Sequence, residues 1–501
     1  MKKSVGILCG LAVAIAAVTV GGAWYTGKQI PAELERSIAR TNAELKDAAA
    51  GTGGTMNVEL VSLDRHFFTS DAQYRLKVKD VWMGGQSQPL NFEVAVTDHI
   101  EHGPFPWSRV KSLKLLPVMA TSNSALVKDP QTAAFFDAAG GQSPLTGQVD
   151  LGYAGGIDSD LRVAPMKVTQ GNGSSVDFAG MRLQVSGDRD GSAVKIHGTA
   201  DRLEMKVVGD RPPATVVMEG FKIGGDLTKT DHEMVYVGKL DLFLSQLQAT
   251  LGPKQDVLLL KGLEQNNLYS LEGKDRLGGH LEYKVSDINY ANRAVGSGQM
   301  VLNFRSVDIP AMRALSEWYQ GKLPQIQQAA VQGQDFPKIE MTDEERAKVQ
   351  GELQKLLAAK PTAEIEDLSF KTARGTSQFK LAIDFSNPTS FDLPPDQLGQ
   401  QLVSKLDGKL SMSKMMVGDL ATLQALLGGQ SDTQAIAQQA SQAGEMLGVM
   451  ATQTGLATVN GDDVVSTLHY ADGMVDFNGK KMPVQDFIMM LASIASMPVP
   501  Q

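Results

Sequence analysis

Apolar and polar residues alternate with a period of two through much of this chain, and that alternation limits the folds open to it. Met56, Val58 and Leu60 alternate with polar residues, and Leu76 and Val78 alternate with lysines. Side chains two residues apart share one face of a strand, so the pattern predicts half-buried antiparallel strands with one face in water. The pattern recurs from residue 55 to residue 308. We therefore expect a mainly antiparallel sheet.

Clusters of Gly, Asn and Asp separate the candidate strands. Gly171-Asn172-Gly173, Gly187-Asp188-Arg189-Asp190-Gly191 and Gly224-Gly225-Asp226 have the composition of tight turns. Between such clusters lie candidate strands at Val149/Leu151/Tyr153, Met181/Leu183/Val185, Leu203/Met205/Val207, Leu281/Tyr283/Val285 and Met300/Leu302/Phe304. The pattern indicates a strand-turn-strand meander without a fixed repeat length.

Helical periodicity interrupts the strands at several places. Residues 29–50 and 310–332 repeat apolar residues at helical spacing, and Thr342 with Glu345 forms a capping-box pattern before a third helix. Further helices are predicted at 394–406, 418–428, 432–453 and from Val484 to about Ser496, and Asp472-Gly473 predicts a hairpin turn. The predicted fold class is α+β, mainly antiparallel β, with inserted and C-terminal helices.

The N-terminal segment predicts a membrane anchor. Ser4 to Tyr25 contains no charged residue, and as a helix it would reach about 33 Å, enough for a hydrocarbon core of about 30 Å. Lys2 and Lys3 favour a cytoplasmic N-terminus, and Trp24 lies where interfacial aromatics anchor a span. We expect an uncleaved signal anchor that crosses a membrane once, with the rest of the chain exported.

Two other interpretations of this segment remain open. Ala14-Ile15-Ala16 or Gly21-Gly22-Ala23 offers the small residues of a signal-peptidase site. Lipoprotein processing at Cys9 is disfavoured because Leu8 precedes it where a small residue is needed. The sequence thus divides into an anchor at 1–28, a membrane-proximal helix at 29–54, a β-rich region at 55–308, a helical interval at 309–360, and strands with helices and a C-terminal hairpin at 361–501.

Composition argues against several function classes. The net charge of −9 argues against nucleic acid as a partner, since surfaces that bind it are basic. Cys9 is the single cysteine, so an intramolecular disulfide and a cysteine-based zinc site are excluded. Phosphate-binding, dinucleotide-binding and nucleophile-elbow glycine motifs are also missing. We therefore predict a protein that is not an enzyme and needs no cofactor.

His99 and His102 are weak candidates for metal ligands. With Asp98 and Glu101 they supply the nitrogen and oxygen atoms that divalent metals bind. Residues three apart point to opposite faces of a strand, however, and the preceding residues alternate as a strand does. We expect a strand end here without a metal site.

The residues His102, Gly103, Pro104, Phe105, Pro106 and Trp107 form the most distinctive local motif. Aromatic side chains held by prolines lose little entropy on binding, so the motif suits a docking surface. The alternative is a rigid structural turn whose aromatics enter the core. We expect the second arrangement, because large aromatic side chains are usually buried.

Methionine is abundant, with 22 residues. Thioether ligands in an oxidising compartment raise the possibility of copper(I) binding. Methionines at strand or helix spacing more often fill cores, and they also suit the lining of a lipid groove. The residues in question are Met412, Met415, Met416, Met489 and Met490.

Three motifs occur in order along the chain. They are Gly21-Gly22-Ala23-Trp24-Tyr25-Thr26-Gly27-Lys28, His102-Gly103-Pro104-Phe105-Pro106, and Tyr470-Ala471-Asp472-Gly473 followed by Phe477-Asn478-Gly479-Lys480-Lys481-Met482. With these motifs the chain resembles the YdgA-like family of bacterial envelope proteins, whose function is unknown. The resemblance implies an inner-membrane anchor and a periplasmic body, and it implies no catalytic residue.

These observations lead to two classes of function. The first is a non-enzymatic envelope protein that scaffolds or handles lipid, because long runs of one-sided strands resemble the AsmA-like lipid-bridging proteins in architecture. Its simpler form is an interaction module whose β core is closed, as in a sandwich. The second class, a periplasmic hydrolase or metal enzyme, needs a polar cluster that the sequence does not show locally. The expected partners are inner-membrane lipid and, in the module form, other envelope proteins or a second copy of the chain.

Overall fold

The computed structural model describes residues 30–49, 52–82, 89–102, 104–188, 191–209, 212–233, 235–252, 254–331 and 341–495. The predicted anchor at residues 4–25 and the predicted turn residue Gly103 lie outside the described residues. Among the helices that are described, none has the length and apolar character needed to cross a membrane.

Strands dominate the described chain. They are β1 (Thr55–Arg65), β2 (Thr69–Val81), β3 (Leu90–His102), β4 (Ala120–Leu126), β5 (Leu145–Leu151), β6 (Gly156–Val163), β7 (Met166–Thr169), β8 (Ser175–Phe178), β9 (Met181–Asp188), β10 (Ala193–Val207), β11 (Ala214–Lys229), β12 (Tyr236–Leu251), β13 (Asp256–Glu272), β14 (Arg276–Tyr290), β15 (Arg293–Asp308), β16 (Thr362–Lys371), β17 (Thr376–Phe385), β18 (Val403–Ser413), β19 (Thr458–Asn460), β20 (Asp463–Ala471), β21 (Met474–Phe477) and β22 (Lys480–Pro483).

Nine helices accompany these strands in the described ranges. They are α1 (Ile30–Ala49), α2 (Trp107–Lys111), α3 (Ala133–Ala138), α4 (Ile309–Val331), α5 (Asp343–Ala358), α6 (Pro395–Leu402), α7 (Lys414–Leu427), α8 (Thr433–Thr454) and α9 (Val484–Ala495). The α+β class with a mainly antiparallel sheet is confirmed.

The strands form one continuous antiparallel sheet. β1 to β6 pair in chain order, β9 follows β6, and the order continues from β9 through β18. The β7–β8 hairpin pairs with the second half of β10. β20 pairs with β18, and β19 and β21 share the other edge of β20, with β22 beyond β21. Nearly every strand is thus next to a neighbour in sequence.

The core at the N-terminal end of the sheet lies between α1 and strands β1 to β6. Leu45 of α1 is buried there with Val58 and Tyr74, and Phe136 of α3 joins the same cluster. Asn42 fixes the helix on the sheet, because its Nδ2 donates to the Val58 carbonyl at 3.0 Å and its Oδ1 accepts from the Val58 amide at 2.7 Å. The predicted helix at 29–50 is therefore present, and its apolar face covers one side of the sheet.

Helices α4 and α5 are inserted between two paired strands. β15 ends at Asp308 and pairs directly with β16, so the helical interval at 309–360 does not separate two sheets. The predicted capping box is present, since Glu345 N donates to Thr342 Oγ1 and Thr342 N donates to the Glu345 carboxylate. Lys322 Nζ lies 2.8 Å from Glu345 Oε1 and joins α4 to α5.

The C-terminal helices pack at glycines and close the end of the sheet. A Cβ on Gly418 of α7 would lie 3.0 Å from the Ala440 carbonyl oxygen of α8, so the two helices approach closely there. Asp419 of α7 accepts hydrogen bonds from Thr372 and Arg374 at the β16–β17 turn. Phe487 of α9 packs on Phe477 with ring centroids 5.1 Å apart. The hairpin and final helix predicted from the sequence are present.

Some local predictions of secondary structure are wrong. Tyr153, which was predicted to continue the strand with Val149 and Leu151, lies in the turn after β5, which ends at Leu151. Two further predictions are wrong because neighbouring strands pair at those positions. The predicted helix at 394–406 ends at Leu402, because β18 begins at Val403 and pairs with β17. The predicted turn at Gly224-Gly225-Asp226 lies inside β11, where both neighbouring strands pair with it. In both cases ladder hydrogen bonds from adjacent strands override the local preference.

Candidate functional site: an apolar groove

A row of uncharged side chains crosses the sheet and connects the core to an open groove. Each residue in the row pairs with the next across successive strands. Leu145, at the start, is 1% exposed in the N-terminal core. The row contains Leu145, Val163, Met181, Ala200, Phe221, Leu244, Leu263, Val285, Gly298, Phe370 and Ser377. The face that forms the core at one end of the sheet therefore continues as the floor of the groove.

The groove has a volume of about 1020 Å³ and extends from β8 and β10 to β18. All described strands belong to one sheet, so no second described sheet covers this face. The volume lies at the top of the range of about 300–1,000 Å³ typical of small-molecule pockets. The apolar members of its lining include Met218, Phe221, Leu242, Leu244, Leu263, Val285, Met300, Phe370, Phe379, Leu410 and Met412.

A line of kinks bends the sheet beside this row. One residue in each of five adjacent strands is left out of the pairing, namely Asp201, Gly220, Ser245, Gly262 and Ser286. On the near side of the line Phe221 pairs with Leu244, and on the far side Met218 pairs with Leu247. Met218 and Phe221 both line the groove although they are three residues apart. The kink thus moves the apolar face by one residue and keeps it on the inside of the bend.

Glycine is required in this line of kinks. Gly220 has a φ of +67° and Gly262 a φ of +57°, conformations that other residues rarely adopt. A Cβ on Gly220 would lie 2.4 Å from Ser245 Oγ, and one on Gly262 would lie 2.8 Å from Ser286 Oγ. Ser245 Oγ donates a 2.6 Å hydrogen bond to the Glu219 carbonyl. Aligned glycine kinks of this kind introduce curvature into a sheet.

Charged residues beside the groove belong to the opposite face of the sheet. Lys284 is paired with Glu264, and each lies between two lining residues of its own strand, so alternation directs both side chains outward. On that face Arg202 contacts Glu219 at 3.3 Å, and Lys222 Nζ lies 5.7 Å from the centre of the Phe243 ring. The charged side chains therefore lie on the outer face of the curved sheet.

The inner face becomes polar on one strand. Gln265 lines the groove, and Asn267, two residues further along β13, is 3% exposed. Asn267 Oδ1 has no hydrogen-bond partner among the described residues. A buried amide without a partner costs free energy, and Asn267 is not among the residues that line the groove.

The two candidate metal ligands are held by different partners. Asp71 Oδ1 lies 2.6 Å from His99 Nδ1, whereas His102 Nε2 lies 3.0 Å from Ser70 Oγ. Burial lowers the pKa of His102. The described residues contain no group of three or more His, Cys, Asp or Glu side chains placed to hold a metal. Each of the two histidines therefore makes its own side-chain contact at the end of β3.

The turn after β3 differs from our expectation. Phe105 and Trp107 are 58% and 63% exposed, so the prediction that these aromatics enter the core is wrong. Pro106 is the buried residue of the turn, and Arg109 of α2 is buried beneath it. The buried members hold the backbone in place, and the aromatic rings project from it.

The candidate methionines are dispersed over several elements. Met412 lines the groove from β18, and Met416 is buried in α7. Met490 packs on the C-terminal core, and Met489 is exposed. Sequence reasoning missed Met218 and Met300 as lining residues, since only the strand register places them together.

Comparison with known proteins identifies the family. A family model described as a bacterial protein of unknown function (DUF945) matches residues 1–485. The chain belongs to the DUF945 family. Protein YdgA of Escherichia coli strain K12 is 29% identical to this DUF945 protein, with 98% of this chain and 97% of that protein aligned. The resemblance to the YdgA-like family is therefore confirmed.

Two further relatives have no described function. The uncharacterized protein YihF of Escherichia coli strain K12 is 24% identical to this DUF945 protein over 96% of the chain and 97% of its own length. An uncharacterized protein of Haemophilus influenzae is 27% identical over 33% of the chain and 42% of its own length. No solved structure matches the chain significantly.

Proposed function

We propose that this DUF945 protein is a non-enzymatic, inner-membrane-anchored periplasmic protein that holds the hydrocarbon part of a lipid in its groove. The observation that carries the proposal is the uncovered apolar face on β10 to β18, with a volume of about 1020 Å³. Apolar surface in water is unfavourable by about 25 cal/mol per Å², which favours an apolar occupant. Large exposed apolar patches mark binding sites for that reason.

The form of the groove supports an amphiphile as the occupant. Its floor is built from Leu, Phe, Val and Met side chains that adapt to a flexible chain. Gln265 lines the groove from β13, and its side-chain amide can accept a hydrogen bond from a hydroxyl or amide of the ligand. Charged side chains face away from the groove, so an ionic headgroup would remain outside it.

The membrane anchor belongs to the same proposal. Residues 4–25 are uncharged and long enough to span a bilayer as a helix. Such an anchor would place the groove beside a source of lipid. A periplasmic reporter fused after Gln501 should be active and should stay with the membrane after an alkaline wash. A soluble reporter would contradict the anchor.

Photo-crosslinking in living cells tests the groove. A benzoylphenylalanine residue replaces Leu242, which lines the groove, or Asp241, its exposed neighbour on the same strand. Irradiation of the full chain should give a lipid adduct, detected by mass spectrometry, at position 242 and not at position 241. An absence of lipid adducts at 242, or equal adducts at both positions, would remove the lipid proposal. Circular dichroism of both variants controls for folding.

A further inference from the structure

Seven large apolar side chains project into solvent from the loops at one end of strands β1 to β4. Their exposed fractions lie between 58% and 86%, whereas aromatic and leucine side chains are usually well buried. We call this surface the aromatic-leucine patch, and it consists of Phe67, Phe68, Phe105, Trp107, Leu113, Leu115 and Leu116.

The two loops that carry the patch are hydrogen-bonded to each other. The His102 amide donates to the Phe68 carbonyl at 2.8 Å, which joins the β1–β2 turn to the end of β3. The rings of Phe67 and Phe68 pack edge to face with centroids 4.5 Å apart. Beyond His102, the Glu101 carboxylate accepts a 2.9 Å hydrogen bond from the Ser108 amide at the start of α2. The two loops that carry the aromatic side chains are therefore adjacent at this end of the sheet.

The fold holds this patch in its exposed position. Buried Arg109 pairs with Asp150 of β5 and donates to the Leu116 carbonyl at 3.2 Å. Leu113 has a φ of +58°, the left-handed region that costs a leucine free energy. This conformation belongs to the C-cap of α2, where Lys114 N donates to the Arg109 carbonyl at 2.9 Å and Leu113 N donates to the Val110 carbonyl at 3.0 Å. The side chain of Leu113 is 83% exposed.

The patch lies at the same end of the molecule as Ile30, the first described residue. A short connection joins the end of α1 at Ala49 to the start of β1 at Thr55, and the two elements touch at Asn42 and Val58, so they run in opposite directions. From that contact α1 runs back about 18 Å to Ile30 at about 1.5 Å per residue. β1 runs about 24 Å in the same direction to Arg65 at about 3.4 Å per residue. Phe67 and Phe68 follow Arg65 directly, so the patch and residue 30 share one end.

The charges around the patch suit a bilayer surface. Lys111 and Lys114 are exposed beside it, and Lys111 Nζ lies 5.5 Å from the centre of the Trp107 ring. Tryptophan, phenylalanine and lysine together are typical of segments that sit at a membrane interface, where the rings enter the headgroup region and the lysines meet anionic lipid.

We propose that the aromatic-leucine patch inserts into the interfacial region of the bilayer that carries the anchor at residues 4–25. The patch then acts as a second contact with the membrane and fixes the orientation of the sheet above it. This inference rests on the proposed anchor and is independent of what the groove holds.

Fluorescence of the full chain in phospholipid nanodiscs tests this contact. Cys9→Ser removes the single cysteine, and Leu113→Cys or Leu251→Cys introduces a site for the polarity-sensitive label NBD. Leu251 is the matched control, because it is a partly exposed leucine at the β12–β13 turn. The discs contain phosphatidylethanolamine and phosphatidylglycerol. The label at 113 should emit at shorter wavelength than the label at 251, be quenched by doxyl lipids and be protected from iodide.

The outcomes separate the patch from the anchor. The chain could elute with the discs while the label at 113 shows the same emission and quenching as the label at 251. That result would overturn the proposed membrane contact of the patch and leave the anchor intact. A chain that fails to elute with the discs would overturn both. A blue shift at 113 in native membrane vesicles but not in pure-lipid discs would also overturn the proposal, because a protein would then cover the patch.

Discussion

Arg109 and Asp150 form an ion pair that is buried beneath the loop after β3. The two residues are 8% and 5% exposed, and Thr121 Oγ1 donates to the second carboxylate oxygen of Asp150 at 2.7 Å. The pair joins the short helix α2 to strand β5. Its position explains how a loop with exposed apolar side chains keeps a fixed backbone.

Loss of this pair should strongly destabilise the protein. Arg109→Ala leaves the buried Asp150 carboxylate with Lys114 Nζ, 3.9 Å away, as its remaining cationic partner, and breaking a buried pair costs about 3–5 kcal/mol. The control is Lys128→Ala, which removes a pair with Asp137 whose two side chains are both exposed and should cost less than about 1 kcal/mol. Urea denaturation followed by circular dichroism measures both. Equal losses of unfolding free energy in the two variants would show that the buried pair stabilises the protein no more than the exposed pair does.

A methyl group in the line of kinks should disrupt the groove. Gly220→Ala forces an alanine into a left-handed conformation and places its Cβ on Ser245 Oγ, so we expect a loss of about 2 kcal/mol or more. Gly224 lies in the same strand, and a Cβ added there would meet no atom within 4 Å. Gly224→Ala should therefore leave stability within about 0.5 kcal/mol. Thermal denaturation distinguishes the two, and a similar effect at both sites would contradict the kink.

Relief of strain at the patch should stabilise the fold. Asparagine tolerates the left-handed region better than leucine, and Leu113 is exposed with few contacts to lose. Leu113→Asn should thus raise the free energy of unfolding by about 0.5–1 kcal/mol. The same change should weaken the contact with nanodiscs. A variant that loses stability would show that Leu113 contributes packing in the folded chain.

The pH dependence of stability should follow Asp98. Burial raises its pKa to about 6, although Ser122 donates a 2.6 Å hydrogen bond that favours the carboxylate. The folded protein therefore prefers the neutral acid, and that stabilisation is full below pH about 4 and is lost as the pH rises through about 6. The total change amounts to about 3 kcal/mol at about 1.4 kcal/mol per pKa unit.

Asp98→Asn provides the comparison for this effect. Asparagine stays neutral, so the difference in unfolding free energy between the two proteins should shift in favour of the variant between about pH 4 and about pH 7. Ser122→Ala should move the transition of the parent to higher pH, since it removes a bond to the carboxylate. A constant difference between parent and variant across the range would refute the assignment to Asp98.

The sequence predicted the elements whose signals are local. The helix with Thr342 and Glu345 at its start and the hairpin at Asp472-Gly473 appear as expected, because capping hydrogen bonds and turn conformations depend on a few adjacent residues. The alternation also predicted correctly that Leu76 and Val78 lie on the buried face of their strand, since both are buried in the N-terminal core.

The groove could not be predicted in the same way. Its apolar face changes by one residue at the line of kinks, so Met218 and Phe221 share a face that a strict period of two places on opposite sides. Only the pairing of neighbouring strands reveals that five such steps are aligned. The sequence also could not predict the exposure of Phe105 and Trp107. The buried ion pair that supports their loop joins Arg109 and Asp150, which are 41 positions apart in the chain.

The order of the strands has a consequence for how the protein reaches its folded state. From β9 to β18 each strand pairs with the strand that precedes it in the chain. Each new strand can therefore pair with an edge that the chain before it has already formed. A chain delivered from its N-terminal end can add hairpins one after another to the α1-covered core. The groove reaches its full length only when β18 joins the sheet.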